Sequence, residues 1–299
     1  PYDERRWQHD PFRASEENGR VYGLGSADMK SFFAFIVAAL RELPLERLRR
    51  PLTIVATADE ESSMCGARSL QQSRLHLGRH AVIGEPTSLR PVRMHKGIAM
   101  ESIRLTGRSG HSSDPSLGAS ALEGMHLAMG AILDWRLELQ AAHRNPLFKV
   151  AVPTLNLGHI HGGDNPNRIC GECELQIDLR PLPGMQIDEL RESLRERLGQ
   201  TLEGSGLGWE LTPLFPGIDA METPAQAAIV QAAEALTGHP AEAVAFATEG
   251  PFLNAMGLET VILGPGHIDQ AHQPDEYIPM EHFDPTLALL RSLIQKFCF

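Results

Sequence analysis

The apolar run Leu52-Thr53-Ile54-Val55-Ala56-Thr57-Ala58 ends directly in three acids, Asp59-Glu60-Glu61. Its length and β-branched content are typical of a buried strand, so we predict a strand over residues 52–58. Adjacent carboxylates at the end of such a strand repel each other and resist desolvation, which favours a cation beside them. A metal ion is the simplest cation that this pattern predicts.

Strand and helix patterns alternate on both sides of this run. Ahead of it, a short strand at residues 20–25 precedes an amphipathic helix, and Asp28 falls between the two. After it, a helix at residues 64–75 leads to a strand at 81–83 that ends in Gly84-Glu85-Pro86. This alternation predicts a parallel α/β sheet, whose ligands bind beyond the carboxyl ends of its strands. We expect the acids at these ends to gather there: Asp28, Glu60, Glu61 and Glu85.

The pattern changes between residues 97 and 214. The elements predicted there are a strand at 98–106, a helix at 119–137, strands at 152–160 and 174–180, a helix at 187–202 and a strand at 207–214. The order β-α-β-β-α-β is the ferredoxin-like split arrangement. Since the α/β pattern returns after Pro216-Gly217, we predict a discontinuous α/β domain, residues 1–96 and 215–299, with a ferredoxin-like α+β domain inserted at 97–214.

Composition excludes several classes of function. The net charge of -11 argues against a nucleic-acid surface, which needs clustered Lys and Arg. We find no run of 18 apolar residues and no charged-then-apolar leader, so we expect no membrane span, no signal peptide and a cytoplasmic location. Four cysteines are too few for a disulfide framework, and Cys170 and Cys173 are expected to be reduced and buried.

Several motifs, in order along nearly the whole chain, resemble the dinuclear zinc peptidase and deacylase family that includes the dimeric bacterial deacetylases. They are Gly23-Leu24-Gly25-Ser26-Ala27-Asp28-Met29-Lys30, Thr57-Ala58-Asp59-Glu60-Glu61, Gly84-Glu85-Pro86-Thr87, Gly110-His111-Ser112-Ser113-Asp114-Pro115, Thr154-Leu155-Asn156-Leu157-Gly158-His159-Ile160-His161-Gly162-Gly163, Asn165-Pro166-Asn167-Arg168 and Ala271-His272-Gln273-Pro274-Asp275-Glu276. The resemblance implies a mixed-sheet, metallopeptidase-like catalytic domain, and it makes the inserted domain a lid or dimerisation domain.

The resemblance also implies roles for the acids. Asp28 would bridge two metal ions, Glu61 and Glu85 would each bind one, and His272 would complete the shell on the Glu61 side. Glu60 would be the general base that moves a proton from water to the leaving amine. The implied cofactor is Zn²⁺, two ions per complete subunit, with Co²⁺ as an alternative. Singly, Asp28 or Glu85 could equally be a helix cap or a solvated loop charge.

The resemblance also implies that three polar residues of the inserted domain take part in substrate binding or catalysis. Arg168 could hold a substrate carboxylate with two parallel hydrogen bonds, and Asn167 could donate to an oxygen beside it. His111 resembles the family's histidine that stabilises the developing oxyanion, and in dimeric members it is reached from the partner subunit, so we expect a homodimer. The alternatives are a surface ion pair for Arg168, a turn role for Asn167 and a merely structural His111.

The implied reaction is metal-dependent hydrolysis of an amide. The expected small-molecule substrate is N-acetyl-L-ornithine, which gives ornithine and acetate in arginine biosynthesis. Alternatives are succinyl-diaminopimelate, a broader set of N-acylamino acids, or a catalytically silent relative that kept the fold. Thr248-Glu249-Gly250 leaves open an acid near a cationic substrate side chain or a helix cap.

The start of the chain departs from the family pattern. Pro1 is not a methionine, and the family's first motif, a metal-binding histidine followed by an aspartate, has no match here. We therefore expect an upstream portion to be missing, which would leave the metal ion on the Glu85 side without its histidine. The 299-residue chain alone is predicted to be inactive or nearly so.

Overall fold

The computed structural model describes residues 4–73 and 75–299. The chain divides into two compact units. The first comprises Pro1–Met94, Glu222–Ala243 and Thr248–Phe299, and the second comprises His95–Met221 and Val244–Ala247. Within the described residues, no helix is both long enough and apolar enough to cross a membrane.

Twelve strands and seven α-helices are formed by the described residues. The strands are β1 (Ser15–Glu17), β2 (Arg20–Tyr22), β3 (His80–Pro86), β4 (Val92–His95), β5 (Ala99–Thr106), β6 (Thr154–Gly162), β7 (Glu172–Arg180), β8 (Gly208–Pro213), β9 (Met221–Glu222), β10 (Glu242–Val244), β11 (Glu259–Gly264) and β12 (Tyr277–Pro279). The helices are α1 (Ser31–Arg41), α2 (Cys65–Gln72), α3 (Ala121–Ala142), α4 (Ile187–Leu202), α5 (Ala228–Thr237), α6 (Gly250–Ala255) and α7 (Phe283–Cys298).

The sheet of the first unit is mixed rather than all parallel. Strand β11 pairs parallel with β3, with Val261 opposite Val82, and antiparallel with β4. The strand order β10-β4-β11-β3 leaves β3 at the edge. A three-stranded antiparallel sheet, β1-β2-β12, joins the beginning of this unit to the residues just after His272.

Helices cover this mixed sheet. Helices α5 and α7 pack on β11 through Val230, Val261 and Leu289, and α1 packs against α7 through Phe32 and Leu290. Gly84 of β3 lies so close to α1 that a Cβ atom there would stand 2.1 Å from the Phe32 ring. Only glycine therefore allows this contact, which brings the strand end with Glu85 close to the helix that follows Asp28.

The second unit has the predicted order β-α-β-β-α-β. Its four strands form an antiparallel sheet in the order β6-β7-β5-β8, the ferredoxin-like arrangement. Alternate residues of β7, including Cys173, Leu175 and Ile177, are buried, and helices α3 and α4 pack together. Helix α3 begins with a capping interaction, because Ser120 Oγ accepts the N–H of Glu123 at 3.3 Å. Cys170 and Cys173 are free and buried.

The predicted strand at residues 52–58 is wrong. Residues 51–57 have no regular secondary structure, and Leu52, Ile54 and Val55 are 36%, 46% and 38% exposed. Among the described residues, the backbone of 52–56 has no hydrogen-bond partner. A strand exists only when a neighbour completes its ladder, so β-branched composition alone does not form one.

Candidate active site

Asp28 lies in the loop between β2 and α1, and a buried carboxylate holds that loop in place. Glu276 is only 2% exposed, and its two oxygens accept the backbone N–H groups of Gly25, Ala27 and Asp28, each at 2.8 Å. Glu276 belongs to the same loop as His272. The two loops are therefore tied together by hydrogen bonds to a charged group, which are among the stronger ones in proteins.

Glu60 and Glu61 are presented by a tight turn that Asp59 closes. Asp59 has φ +58°, and its carbonyl oxygen accepts the N–H groups of Ser63 at 3.1 Å and Met64 at 2.8 Å. The left-handed conformation of a non-glycine residue costs of order 1 kcal/mol and is commonly found at functional sites. The turn therefore fixes the positions of Glu60 and Glu61, at the cost of backbone strain at Asp59.

Asp28, Glu61 and His272 come together. The Nε2 atom of His272 lies 2.7 Å from Oε2 of Glu61 and 3.4 Å from Oδ2 of Asp28. Each of the three residues offers a ligand atom, and these atoms all lie within 4.8 Å of one another. Within the described part of the chain, they form the one cluster of His, Cys, Asp and Glu with this geometry. His272 also has a left-handed backbone, with φ +60°.

Two further acids, Glu85 and Glu60, interact electrostatically with this cluster and are shielded from water. Glu85 is 7% exposed, and its pKa is raised well above the usual range, first by burial and then by Asp28, Glu60 and Glu61. Burial, followed by Glu61, raises the pKa of Glu60 to about 7. The pKa of Asp28 is also raised by burial and then by Glu61, although His272 acts in the opposite direction. The acids thus destabilise each other's charged forms.

The donor set fits a divalent metal ion. Carboxylate and imidazole ligands without a thiolate suit catalytic Zn²⁺, Co²⁺ or Mn²⁺. The mutual repulsion of Asp28, Glu61 and Glu85 is the electrostatic condition that a divalent cation relieves. Asp28, Glu61 and His272 would hold one ion through oxygen and nitrogen, and Glu85 is the remaining acid near Asp28 for a second.

Glu249 is a further acid whose charge acts on this site. The sequence had left open whether it is such an acid or a helix cap. It adds to the raised pKa of both Glu60 and Glu85, so its charge acts on the same region. Its Oε1 atom is buried and has no hydrogen-bond partner among the described residues. Its side chain does not cap α6, whose Gly250 N–H is accepted by Thr248 Oγ1 at 3.1 Å. The signal in the sequence was an acid directly before a glycine-initiated helix.

The predicted residues of the second unit lie close to one another. His111 and Arg168 form an antiparallel bridge, and the N–H of Ser112 donates to the carbonyl of Asn167 at 3.0 Å. His111 Nδ1 lies 2.8 Å from Ser113 Oγ. The guanidinium of Arg168 is half exposed and pairs with Asp164, which is the surface ion pair that the sequence left as an alternative.

The whole chain is similar to curated acetylornithine deacetylases. It is 51% identical to the enzyme of Edwardsiella ictaluri over 298 residues, which cover 100% of this chain and 78% of that protein. It is 48% identical to the enzyme of Pasteurella multocida, again over 298 residues that cover 100% of this chain and 78% of the relative.

Solved structures share the fold. Aminopeptidase PepT from Bacillus cereus is similar with a TM-score of 0.73 at 20% identity, over 95% of this chain and 76% of that one. The YxeP protein of Bacillus subtilis, described as a dinuclear metal-binding peptidase, gives a TM-score of 0.63 at 14% identity, over 88% of this chain and 71% of that one. At these identities the likeness shows the fold alone.

The remaining comparison is with families as a whole. The family described as peptidase family M20/M25/M40 matches residues 1–296. Because that match spans nearly all of the 299 residues and the two curated relatives are about half identical over the full chain, the chain belongs to peptidase family M20/M25/M40.

Proposed function

We propose that this protein is a metal-dependent deacetylase that hydrolyses N-acetyl-L-ornithine to ornithine and acetate. The observation that carries the proposal is the cluster of Asp28, Glu61 and His272, with Glu60 next to it in sequence and electrostatically coupled to it. The names of the two curated relatives support the choice of substrate. Succinyl-diaminopimelate and other N-acylamino acids are the alternative substrates.

The acids and His272 are proposed as the ligands of two divalent ions. Asp28 would lie between the ions, Glu61 and His272 would bind one, and Glu85 would bind the other. Bound there, Zn²⁺ or Co²⁺ would polarise the amide carbonyl and make water a better nucleophile at neutral pH. Glu276 ties the Asp28 loop to the loop that carries His272, and the Asp59 turn presents Glu61.

Glu60 is proposed as the general base. Its carboxylate is not one of the three clustered ligand groups, so it is free to accept a proton from the attacking water. The same carboxyl group then gives that proton to the nitrogen of the leaving amine as the C–N bond breaks. Glu61 would hold the metal while Glu60 would move the proton, which would account for two adjacent acids with different tasks.

Arg168, Asn167 and His111 are proposed to act on the substrate. Arg168 would hold the substrate carboxylate through two parallel hydrogen bonds and would exchange Asp164 for it. Asn167 would donate to an adjacent oxygen. His111 would stabilise the oxyanion, and in a homodimer it would do so on the partner's substrate.

The test combines metal content with turnover. Metal bound per chain is measured together with acetate release from N-acetyl-L-ornithine and succinate release from succinyl-diaminopimelate. Glu60→Gln is expected to keep the metal and to lose at least a hundredfold in turnover, since general base catalysis typically contributes about 10²–10⁴-fold. Metal binding with no turnover of either substrate in any form of the protein would instead identify a silent relative.

A further inference from the structure

Asp275 joins a segment near the beginning of the chain to the loop that carries His272, residues 271–276. Its Oδ1 atom accepts the backbone N–H groups of Gln8 and His9, both at 2.9 Å, and lies 3.0 Å from Nδ1 of His9. Asp275 has a left-handed backbone, with φ +55°, which a non-glycine residue keeps only where its surroundings fix it. One carboxylate oxygen therefore makes three polar contacts with residues far away in sequence.

The imidazole ring of His9 bridges two carboxylates. Its Nδ1 atom lies 3.0 Å from Oδ1 of Asp275, and its Nε2 atom lies 3.0 Å from Oε2 of Glu17, the last residue of β1. An ionised carboxylate only accepts hydrogen bonds, so each ring nitrogen has to carry a proton for both hydrogen bonds to form. Both nitrogens are protonated only in the imidazolium ion. The geometry therefore fits the charged form of His9.

The groups around the ring favour that charge. The ring of His9 stacks on Tyr22 of β2, with centroids 3.9 Å apart and planes at 5° to each other, and an aromatic face attracts a cation. Tyr22 is hydrogen-bonded to Arg20 of the same strand. Among the described residues, the ionisable groups in contact with the ring are Glu17, Asp275 and Tyr22. The hydrogen bonds to Glu17 and then to Asp275 raise the pKa of His9.

The loop of residues 271–276 is thus held by two neighbouring acids. Glu276 binds the backbone of the Asp28 loop, and Asp275 binds residues 8 and 9. His272 lies three positions before Asp275, and its side chain is 68% exposed. Since little packing surrounds the ring of His272, the position of its Nε2 atom depends on the backbone of this loop.

We propose that His9, as an imidazolium ion, is a positioning residue that fixes the loop of His272 through Asp275. The consequence for metal binding rests on the proposed function, because it takes His272 as a ligand. With the contact formed, Nε2 of His272 stays beside Glu61 and Asp28 before an ion binds, so less conformational freedom is lost on binding. Once the proton is lost, the ring can donate to only one of its two carboxylates, and the loop is held less firmly.

The dependence on the proton has a defined sign. Because the pKa of His9 is raised above its ordinary value of 6.5, the contact is complete below pH 6.5 and is lost as the pH rises through the higher pKa of the folded chain. The carboxylate and imidazole ligands act in the opposite direction, since they bind a metal ion better as they lose protons. A variant with a permanent positive charge at residue 9 separates the two effects.

Amide hydrogen exchange of the metal-free 299-residue chain at pH 6.5 tests the contact itself. His9→Gln removes the charge and one of the two ring contacts, and it should speed exchange at least threefold at Gln8, Ala271 and Gln273, whose N–H groups donate within the contact or the loop. His9→Arg keeps a charge and several donors, so it should restore the rates to within about twofold. His143→Gln, which changes an exposed histidine of the second unit, is the matched control. Equal exchange in His9→Gln and in the unchanged chain overturns the proposal.

Zinc affinity tests the consequence for His272. Competition with a chromophoric chelator measures the binding of Zn²⁺ alone to the same four chains between pH 6.5 and pH 9. At pH 6.5, His9→Gln should bind Zn²⁺ at least fivefold more weakly than the unchanged chain, whereas His9→Arg and His143→Gln should match it. As the pH rises to 9, the affinity of the unchanged chain relative to His9→Arg should fall at least threefold. Equal affinity of His9→Gln and the unchanged chain overturns the positioning role, and equal pH profiles of the unchanged chain and His9→Arg overturn the requirement for a charge.

The two measurements keep this proposal apart from the proposed function. Faster exchange of the loop in His9→Gln, with no Zn²⁺ bound by any of the four chains, would refute the metal site and leave the contact of His9 with Asp275 standing. Unchanged exchange together with normal Zn²⁺ binding would refute the role of His9 and leave the hydrolase proposal standing.

Discussion

Each unit contains a buried carboxylate, but the charged groups around the two carboxylates have opposite signs. In the second unit, Glu101 is 2% exposed and accepts a hydrogen bond from Nε of Arg191 at 2.7 Å. In the first unit, Glu85 is 7% exposed, and the neighbours that shift its pKa most are Asp28, Glu60 and Glu61, all acids. Burial raises the pKa of both groups, yet Arg191 opposes the rise at Glu101 whereas every neighbour increases it at Glu85.

The difference separates a structural charge from a functional one. Glu101 has its counter-charge, Arg191, within the chain, so this ion pair forms on folding, although the other oxygen, Oε2, is buried without a hydrogen-bond partner among the described residues. The acids around Glu85 repel each other and gain most from a cation that comes from outside. Natural sequences keep such unfavourable local arrangements mainly at functional sites. The electrostatic imbalance therefore marks the site independently of any motif.

The largest expected effect comes from breaking the complete pair. Arg191→Met should lower the free energy of unfolding by about 3–5 kcal/mol, because it leaves Glu101 buried without a counter-charge. Urea unfolding at pH 7 measures this. The double variant Glu101→Met/Arg191→Met should recover most of the loss, since it removes both charges. A loss below about 1 kcal/mol in the single variant would show that Glu101 is solvated and that the comparison fails.

The elements of the second unit were predicted from sequence because their signals are local. The alternation of Cys173, Leu175 and Ile177 is enough to place β7, and the spacing of Leu190, Leu194 and Leu198 is enough to place α4. Each pattern states which face is buried, and the antiparallel neighbours supply the other half of each ladder. Local pattern and tertiary pairing agree in this unit.

The first unit shows what local patterns cannot supply. Residues 52–58 have strand composition, but a ladder needs a neighbour that no local window contains. The acids of the site could be proposed from their predicted places at strand ends, although Glu85 alone of the four lies at the end of an observed strand, β3. The role of Glu276 could not, because its carboxylate binds the N–H groups of residues about 250 positions away in sequence. Contacts of that range are invisible to periodicity and propensity.

Glu276 provides the second test, since it is a buried acid of the first unit that is satisfied by N–H donors. Glu276→Ala should cost about 3–4 kcal/mol, because Gly25, Ala27 and Asp28 lose the acceptor of their N–H groups. The variant should also bind metal more weakly, because the Asp28 loop is no longer held. Glu281→Ala, which removes an acid on the surface nearby in sequence, serves as the control. Equal unfolding energies in the two variants would contradict the role of Glu276.

The third test concerns His95, a buried histidine of the second unit. It stays neutral at pH 7, so no charge has to be desolvated there when the chain folds. Burial lowers the pKa of His95 to about 4, although its hydrogen bond to the carbonyl of Lys96 acts in the opposite direction. The unfolded chain takes up the proton near pH 6.5, so stability is complete above that pH and falls as the pH drops toward 4.

The loss attributable to His95 should reach up to about 3 kcal/mol at pH 4. Urea unfolding of the protein and of His95→Gln between pH 7 and pH 4 isolates it, because the glutamine does not titrate. The difference in stability between the two proteins should narrow or reverse in favour of the variant as the pH falls. A constant difference across this range would mean that His95 keeps its ordinary titration in the folded protein.

The smallest expected effect gives the clearest comparison. A glutamate-to-glutamine substitution should change the free energy of unfolding in opposite directions in the two units. In metal-free protein at pH 7, Glu85→Gln should raise the free energy of unfolding by about 1 kcal/mol, since it removes one acid from a cluster of repelling acids. Glu101→Gln should lower it, because Arg191 then lacks its buried counter-charge. With Zn²⁺ present, the order at the first site should reverse, since Glu85→Gln removes a proposed ligand and weakens binding at least tenfold. If Glu85→Gln destabilised the metal-free protein as Glu101→Gln does, Glu85 would be a structural acid with a partner of its own. The contrast between a complete pair and a site that gains from an external cation would then be lost.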